Sequence, residues 1–276
     1  MSWFHLLTPA QTTGLLLEGL DVIAGAVLPE SEATFADADV ARAAFGHPDP
    51  ADGPAGAPGR GRHTRTVGRF VDFLLLPEDL PVLDVADGQL APTRVPSGAS
   101  YWRLEADGTR HVISYYDTPA FGWRNVRGPV WPASEIGLRA RWGNLDVIAA
   151  FEHATDRVTT PLAGDAGPRA AEGADDVHLV VRTGEDEDPP EGFEWTKTRV
   201  SRRTVPTSEC ELYERISLVV HDGVPGRVLD VTDGVATLML ERAVDGSREM
   251  GPSWHDLRVR ESDLTDLVTR EVPRGD

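Results

Sequence analysis

The chain has 276 residues, of which 40% are apolar and 26% are charged. These values allow a sizeable core and exclude a wholly disordered or fibrous protein. Forty-five acidic residues outnumber 27 basic ones, giving a formal net charge of -18. This charge disfavours nucleic acid and anionic lipid as partners, because both are polyanions.

We expect neither a secretory signal nor a membrane span in the N-terminal region. No Lys or Arg precedes Arg42, so the basic segment of a signal peptide is missing. The most apolar early stretch, 14–29, is short and is interrupted by Glu18 and Asp21. We therefore expect a cytoplasmic protein, and the composition is typical of a bacterium with a GC-rich genome.

The first elements are predicted to be a strand over 2–7 and a helix that follows it. Thr8 can cap this helix, Pro9 fits its first position, Gln11 completes a capping box and Gly19 suits its end. A second helix is predicted over 37–45. The Gly- and Pro-rich stretch 47–64 offers little to bury, so we expect a mobile loop there.

From residue 67 onward, apolar residues alternate with polar ones, which predicts strands. Asp-Gly dipeptides favour tight hairpin turns. The predicted strand and hairpins are 70–76, then 81–95 turning at Asp87-Gly88, and a hairpin turning at Asp107-Gly108. Residues 136–151 also fit a hairpin, turning at Gly143-Asn144, although a helix over 144–156 is an alternative.

Two acidic loops, 162–176 and 184–192, flank a predicted strand at 177–181. The C-terminal part then contains four short predicted strands, at 215–220, 226–231, 235–240 and 257–260. Their arrangement, followed by a short turn, resembles SH3-like barrels. The predicted fold is thus α+β: a mainly antiparallel β domain with short helices over 1–205, then a small SH3-like β-barrel over 206–276.

The segment Phe4-His5-Leu6-Leu7-Thr8, followed by Leu15-Leu16 and Gly19-Leu20, resembles the start of histidine-class ADP-ribosyltransferases. In that family, a histidine and a hydroxyl at a strand end hold the nicotinamide ribose of NAD. The resemblance implies cofactor-binding roles for His5 and Thr8. An ordinary strand and capped helix, with His5 facing a carbonyl or solvent, would give the same pattern.

The same resemblance implies two further elements. Tyr115 or Tyr116 would stack on nicotinamide, and Glu209 or Glu211, in a Glu-x-Glu pattern, would act as the catalytic carboxylate. The tyrosines also fit alternating strand positions, and the glutamates also fit the solvent face of an edge strand.

The remaining residues suggest no metal site. The eight histidines are scattered, and Cys210 is the only cysteine. Two basic clusters, at 60–69 and 197–203, would form an anion pocket if the fold brought them together.

A nucleic-acid-associated role for the basic clusters and the barrel is the least favoured alternative because of the net charge. Two other functions are open. One is an NAD-binding ADP-ribosyltransferase-like or NAD-glycohydrolase-like protein with a nucleotide ligand. The other is a non-enzymatic acidic binding protein, of the immunity or antitoxin kind, that blocks a basic protein partner.

Overall fold

The computed structural model describes residues 2–47, 70–77, 83–84, 88–126, 128–151, 176–184, 186–197, 199–252 and 254–274. Within these ranges the secondary structure is mainly antiparallel β with two short helices, which confirms the predicted α+β, mainly β class.

The elements of the first 135 residues are, in chain order, β1 (Trp3–Leu6), α1 (Pro9–Leu16), β2 (Val22–Ala26), β3 (Leu28–Pro29), α2 (Ala38–Ala44), β4 (Phe70–Leu76), β5 (Leu83–Asp84), β6 (Gln89–Arg94), β7 (Ser100–Glu105) and β8 (Arg110–Tyr115). The elements that follow are β9 (Ile136–Trp142), β10 (Leu145–Ala150), β11 (Asp176–Arg182), β12 (Glu194–Lys197), β13 (Val200–Pro206), β14 (Glu211–His221), β15 (Val224–Thr232), β16 (Val235–Leu240), β17 (Arg248–Gly251), β18 (Trp254–Arg260) and β19 (Val268–Pro273).

Helix α1 begins as the sequence predicts. The Thr8 side chain accepts a hydrogen bond from the Gln11 backbone N–H, and the Gln11 side chain accepts one from the Thr8 N–H. This reciprocal capping box satisfies two donors that the first helical turn would otherwise leave unpaired. The helix ends at Leu16, and Gly19 follows with a φ of 73° that favours glycine.

A five-stranded sheet, in the order β3-β1-β4-β7-β8, forms the centre of the N-terminal part. Phe4 and Phe73 stack on one face, where α2 covers them. The other face carries Leu74 and Leu76, which pack with Leu15 from α1 and with residues of a second sheet, β2-β6-β5. Burial on both faces fixes the register of β1 and β4.

The remaining strands form one large antiparallel sheet in the order β12-β13-β11-β10-β9-β14-β15-β16-β18-β17. It curls into a half-barrel. One edge of β14 pairs first with β9 and then with β15, and its other edge pairs with β19. The sheet therefore runs across residue 205, and the division into domains 1–205 and 206–276 stays a prediction.

Contacts join the N-terminal elements to the half-barrel. Val22 and Ala24 of β2 pack with Ile136, Leu229 and Met239 of the large sheet. Arg248 of β17 forms a bidentate ion pair with Glu18, just after α1, at 2.7 and 2.9 Å. The first helix is thereby attached to the C-terminal strands.

Most predicted elements are confirmed, including the strand over 70–76, the second helix, the hairpins at 107–108 and 143–144, and the four C-terminal strands. The alternative helix over 144–156 is wrong where the structure describes it, because β10 occupies 145–150. Residues 48–64 of the predicted mobile loop and 162–175 of the first acidic loop lie outside the described residues.

Candidate functional site

The His5 imidazole is buried between β1, β2 and α1, with 2% of the residue exposed. Its Nδ1 lies 2.9 Å from the Ala26 carbonyl oxygen, and its Nε2 lies 3.4 Å from the Gln11 side-chain nitrogen. Because a carbonyl only accepts, Nδ1 carries the proton and Nε2 is the acceptor. Burial lowers the pKa of His5 to about 4, so the ring is neutral at neutral pH.

Thr8 has both of its hydrogen-bonding roles filled by the protein itself. Its hydroxyl donates to the Met250 carbonyl of β17 and accepts from the Gln11 backbone N–H at 3.2 Å. The side chain therefore caps α1 and docks it onto the C-terminal strands.

A cavity of about 120 Å³ borders His5, Gln11, His47 and Trp254. Sites for drug-sized ligands and cofactors measure roughly 300 to 1,000 Å³. Tyr115, Tyr116, Glu209 and Glu211 are not among the residues that line it. The cavity beside His5 suits a ligand far smaller than a dinucleotide.

Tyr116 is buried against the ring edge of Trp123, with centroids 5.2 Å apart. Its hydroxyl donates to Asp21 at 3.2 Å, and Asp21 also accepts from the Ala133 N–H at 2.8 Å. Burial raises the pKa of Asp21 to about 6. Tyr115 is half-buried at the end of β8. Tyr116 thus belongs to a buried polar network that links the residue after β8 with the segments before β2 and β9.

The two candidate catalytic glutamates lie where β13 leads into β14 of the large sheet. Glu209 is exposed on a short 3-10 turn, and Glu211 is exposed at the start of β14. Arg141, opposite Glu211 on β9, donates to its carboxylate at 2.8 Å. No described cavity that borders His5 or Tyr116 includes either glutamate. The NAD-transferase hypothesis stays a prediction, and neither of these two cavities joins His5 or Tyr116 to the glutamates.

Of the two basic clusters, 60–69 lies outside the described residues. The other spreads over both faces of the β12–β13 hairpin. Arg202 lies over the Phe121 ring at 4.7 Å, and Arg203 lies over the Trp142 ring at 4.4 Å. Lys197 borders a small cavity beside Asp21. This cluster therefore does not form one anion pocket by itself.

A larger open cleft, of about 590 Å³, lies between β10, β11 and the turn that joins β15 to β16. Three arginines and three aspartates line it, and two of its ion pairs are Arg182 with Asp230 at 2.7 Å and Arg139 with Asp146 at 2.9 Å. Its lining is balanced in charge and gives no preference for an anion.

The most distinctive surface is the outer end of the large sheet, which we call the acidic edge. It comprises edge strand β12, its exposed Trp195 and five exposed carboxylate residues: Asp186, Glu187, Asp188, Glu191 and Glu194. Trp195 is 48% exposed. Among the described residues, β12 pairs with β13 alone, so its outer backbone edge is open.

The acidic edge is held firmly by its neighbours. Phe193 is buried against Trp142, with ring centroids 6.3 Å apart. The Thr196 hydroxyl donates to the Ala120 carbonyl at 2.8 Å, and the Arg203 guanidinium donates to the Glu191 carbonyl at 3.2 Å. Trp195 is thus presented to solvent from an ordered strand.

The sequence identified the acidity of 184–192, but not the strand beside it. The stretch after Glu194 reads as basic, and its alternation of Trp195, Lys197 and Arg199 does not show which side is buried. Strand β12 forms because β13 pairs with it and because Phe193 and Thr196 anchor its two ends.

Searches against protein-family models, curated proteins and solved structures each found no match. Neither helix in the described part of the chain is long and apolar enough to cross a membrane.

Proposed function

We propose that the protein is a non-enzymatic binding protein whose acidic edge holds an extended basic segment of a partner protein. The observation that carries this proposal is Trp195, a large aromatic side chain that is 48% exposed on an open strand edge. Tryptophan is enriched among the residues that dominate binding energy in protein interfaces.

The open edge of β12 supports an extended partner. An added strand gains main-chain hydrogen bonds along the edge, while its side chains supply specificity. Charged side chains at a sheet edge discourage pairing with other strands, so a strand that adds to this edge must carry charges that offset the carboxylates. Five carboxylates therefore select against acidic segments and favour Lys- and Arg-rich ones.

Trp195 also fits a basic partner. Guanidinium and ammonium groups bind the faces of indole rings. The protein already makes this contact nearby, where Arg203 of β13 covers the Trp142 ring of β9 at 4.4 Å. An arginine or lysine of the partner would cover Trp195 in the same way.

The bonds that the candidate catalytic groups make within the protein also support a binding function. His5, Thr8, Tyr116 and Glu211 each have hydrogen-bond or ionic partners within the protein. Groups held in structural bonds are poorly placed to act on a substrate. Binding, which needs only a stable surface, is the simpler function for this architecture.

The proposal is tested with a labelled synthetic peptide of alternating Lys and Val residues, by fluorescence anisotropy at about 50 mM and about 500 mM salt. Trp195→Ala should weaken binding by roughly tenfold or more. The triple variant D186N/E187Q/D188N should weaken it at low salt and flatten its salt dependence.

Matched controls separate this surface from net charge. The triple variant D222N/E261Q/D263N removes the same charge from exposed positions on the half-barrel, and Leu17→Ala removes an exposed apolar side chain elsewhere. Both should bind the peptide nearly as the unmodified protein does. If the control triple loses as much affinity as the acidic-edge triple, binding reflects net charge alone and the proposal is wrong.

A further inference from the structure

The last strand, β19, is exposed at all six of its residues. Leu267, Val268 and Val272, which are 49%, 51% and 56% exposed, place three aliphatic side chains in solvent within six residues. Among the described residues, β19 pairs with β14 alone. A strand with an open edge and exposed aliphatic residues is a template for pairing with another strand.

The backbone pattern shows which groups face outward. The Arg274 N–H donates to the Leu212 carbonyl of β14 at 3.0 Å. In an antiparallel pair the N–H and C=O groups of alternate residues point to opposite edges. Val268, Arg270 and Val272 therefore direct their backbone groups toward β14, whereas Thr269 and Glu271 direct theirs outward.

The strand is held rigidly while its outer edge stays open. The Glu271 carboxylate pairs with Arg215 at 2.7 Å and also with Arg141 of β9. The Thr269 hydroxyl lies 3.0 Å from that of Ser217. A strand ordered before binding loses less conformational entropy when a partner adds to it.

We propose that β19 pairs antiparallel with β19 of a second copy of this chain, about a twofold axis at Arg270. In this register Thr269 lies opposite the partner's Glu271, so the two outward-facing residues exchange both hydrogen bonds, twice by symmetry. The same register places Val268 beside the partner's Val272, on the exposed face.

Charge supports this register at its ends. Asp266, at the bend just before β19, and Arg274, directly after β19, lie at opposite ends of the strand, so the antiparallel register brings each near the other residue of the partner. The two Arg270 side chains meet at the axis, where each borders a cavity of about 340 Å³ that Arg227, Glu241 and Asp266 also line. The two carboxylates in each copy balance the two guanidinium groups of that copy.

Salt distinguishes self-association from binding at the acidic edge. Two copies with a formal charge of -18 each repel one another at a distance, and dissolved ions screen that repulsion. Dimerisation through β19 should therefore strengthen as salt is added. Binding of a basic segment should weaken under the same change.

The register is tested by cysteine cross-linking in a Cys210→Ser background. Arg270→Cys places two cysteines opposite each other at the axis, within disulfide range, and should give a covalent dimer on mild oxidation. Thr269→Cys, the matched control, lies two residues out of register with its symmetry mate and should stay monomeric. Equal cross-linking of both variants, or of neither, would overturn the proposal.

Association itself is tested by sedimentation equilibrium over a concentration series. The mean mass of the unmodified chain should rise toward that of a dimer. V268K/V272K should remain monomeric, while the control L17K/V235K, which makes the same charge change at exposed aliphatic positions elsewhere, should dimerise. Circular dichroism verifies that each variant is folded. A monomeric unmodified chain at every soluble concentration, or equal dimerisation of the two double variants, would contradict the proposal.

Discussion

Two buried titratable residues oppose each other in their effect on stability. Burial holds the pKa of His5 down at about 4, so the unfolded chain binds a proton there between about pH 6.5 and 4 that the folded chain does not. Burial raises the pKa of Asp21 to about 6, so between about pH 6 and 4 the folded chain binds the extra proton instead. As the pH falls, His5 therefore lowers the free energy of unfolding and Asp21 raises it.

Removing either residue should reveal the effect of the other. Between about pH 6.5 and 4 the free energy of unfolding should fall further in Asp21→Asn than in the unmodified protein. The extra fall should be about 3 kcal/mol, because the opposing effect of Asp21 is gone and that of His5 remains. In His5→Gln the free energy of unfolding should rise relative to the unmodified protein over nearly the same range. Urea unfolding at several pH values measures both slopes, and identical slopes in the two variants would refute this account.

At the scale of single elements, α1 depends on a contact with the far end of the chain. Thr8 both caps this helix and donates to the Met250 carbonyl of β17. The bond joins residues separated by 242 positions, so capping and tertiary docking share one hydroxyl.

Thr8→Val should therefore reduce the free energy of unfolding by about 1 to 2 kcal/mol, because it removes a helix cap and leaves a carbonyl unpaired. Thr13→Val is the matched control, since among the described residues the Thr13 hydroxyl donates to the Pro9 carbonyl within the same helix. Its cost should stay within about 0.5 kcal/mol. Denaturant titration of the two variants measures both losses, and equal losses would contradict this prediction.

Elements with strong local signals could be predicted from the sequence. The capping box of α1 and the Asp107-Gly108 turn act over three or four residues, and both appear as expected. Strand β19 was missed because all its residues are exposed, so no alternation of apolar and polar residues marks it. Its position depends on pairing with β14, some 55 residues earlier in the chain.

In the candidate site, too, local features could be predicted from the sequence and long-range contacts could not. The sequence identified His5 and Thr8 as polar groups at a strand end, which is where they lie. It could not show that His5 would face the Ala26 carbonyl, or that Arg141 would pair with Glu211, because long-range strand pairing makes both contacts. The acidic residues near 184–192 could be recognised in the sequence, whereas the exposure of Trp195 could not, because it follows from tertiary packing.

For the molecule as a whole, association at the acidic edge and association at β19 should respond to salt in opposite ways. The acidic edge lies at β12, the first strand in the order of the large sheet, and β19 adjoins its central strand β14. Association at β12 relies on charge attraction, and association at β19 occurs despite charge repulsion. The chain can thus hold a basic segment at one edge and a copy of itself at another.

Hydrogen exchange with and without the Lys-Val peptide locates the binding surface most directly. If the peptide adds to the acidic edge, outward-facing backbone amides of β12 should exchange more slowly when it is present, and Trp195→Ala should abolish that protection. Amides of β16 and β18, inside the half-barrel sheet, should not change. Protection that appears only outside 186–197, or an unchanged pattern with the peptide bound, would contradict the proposed function.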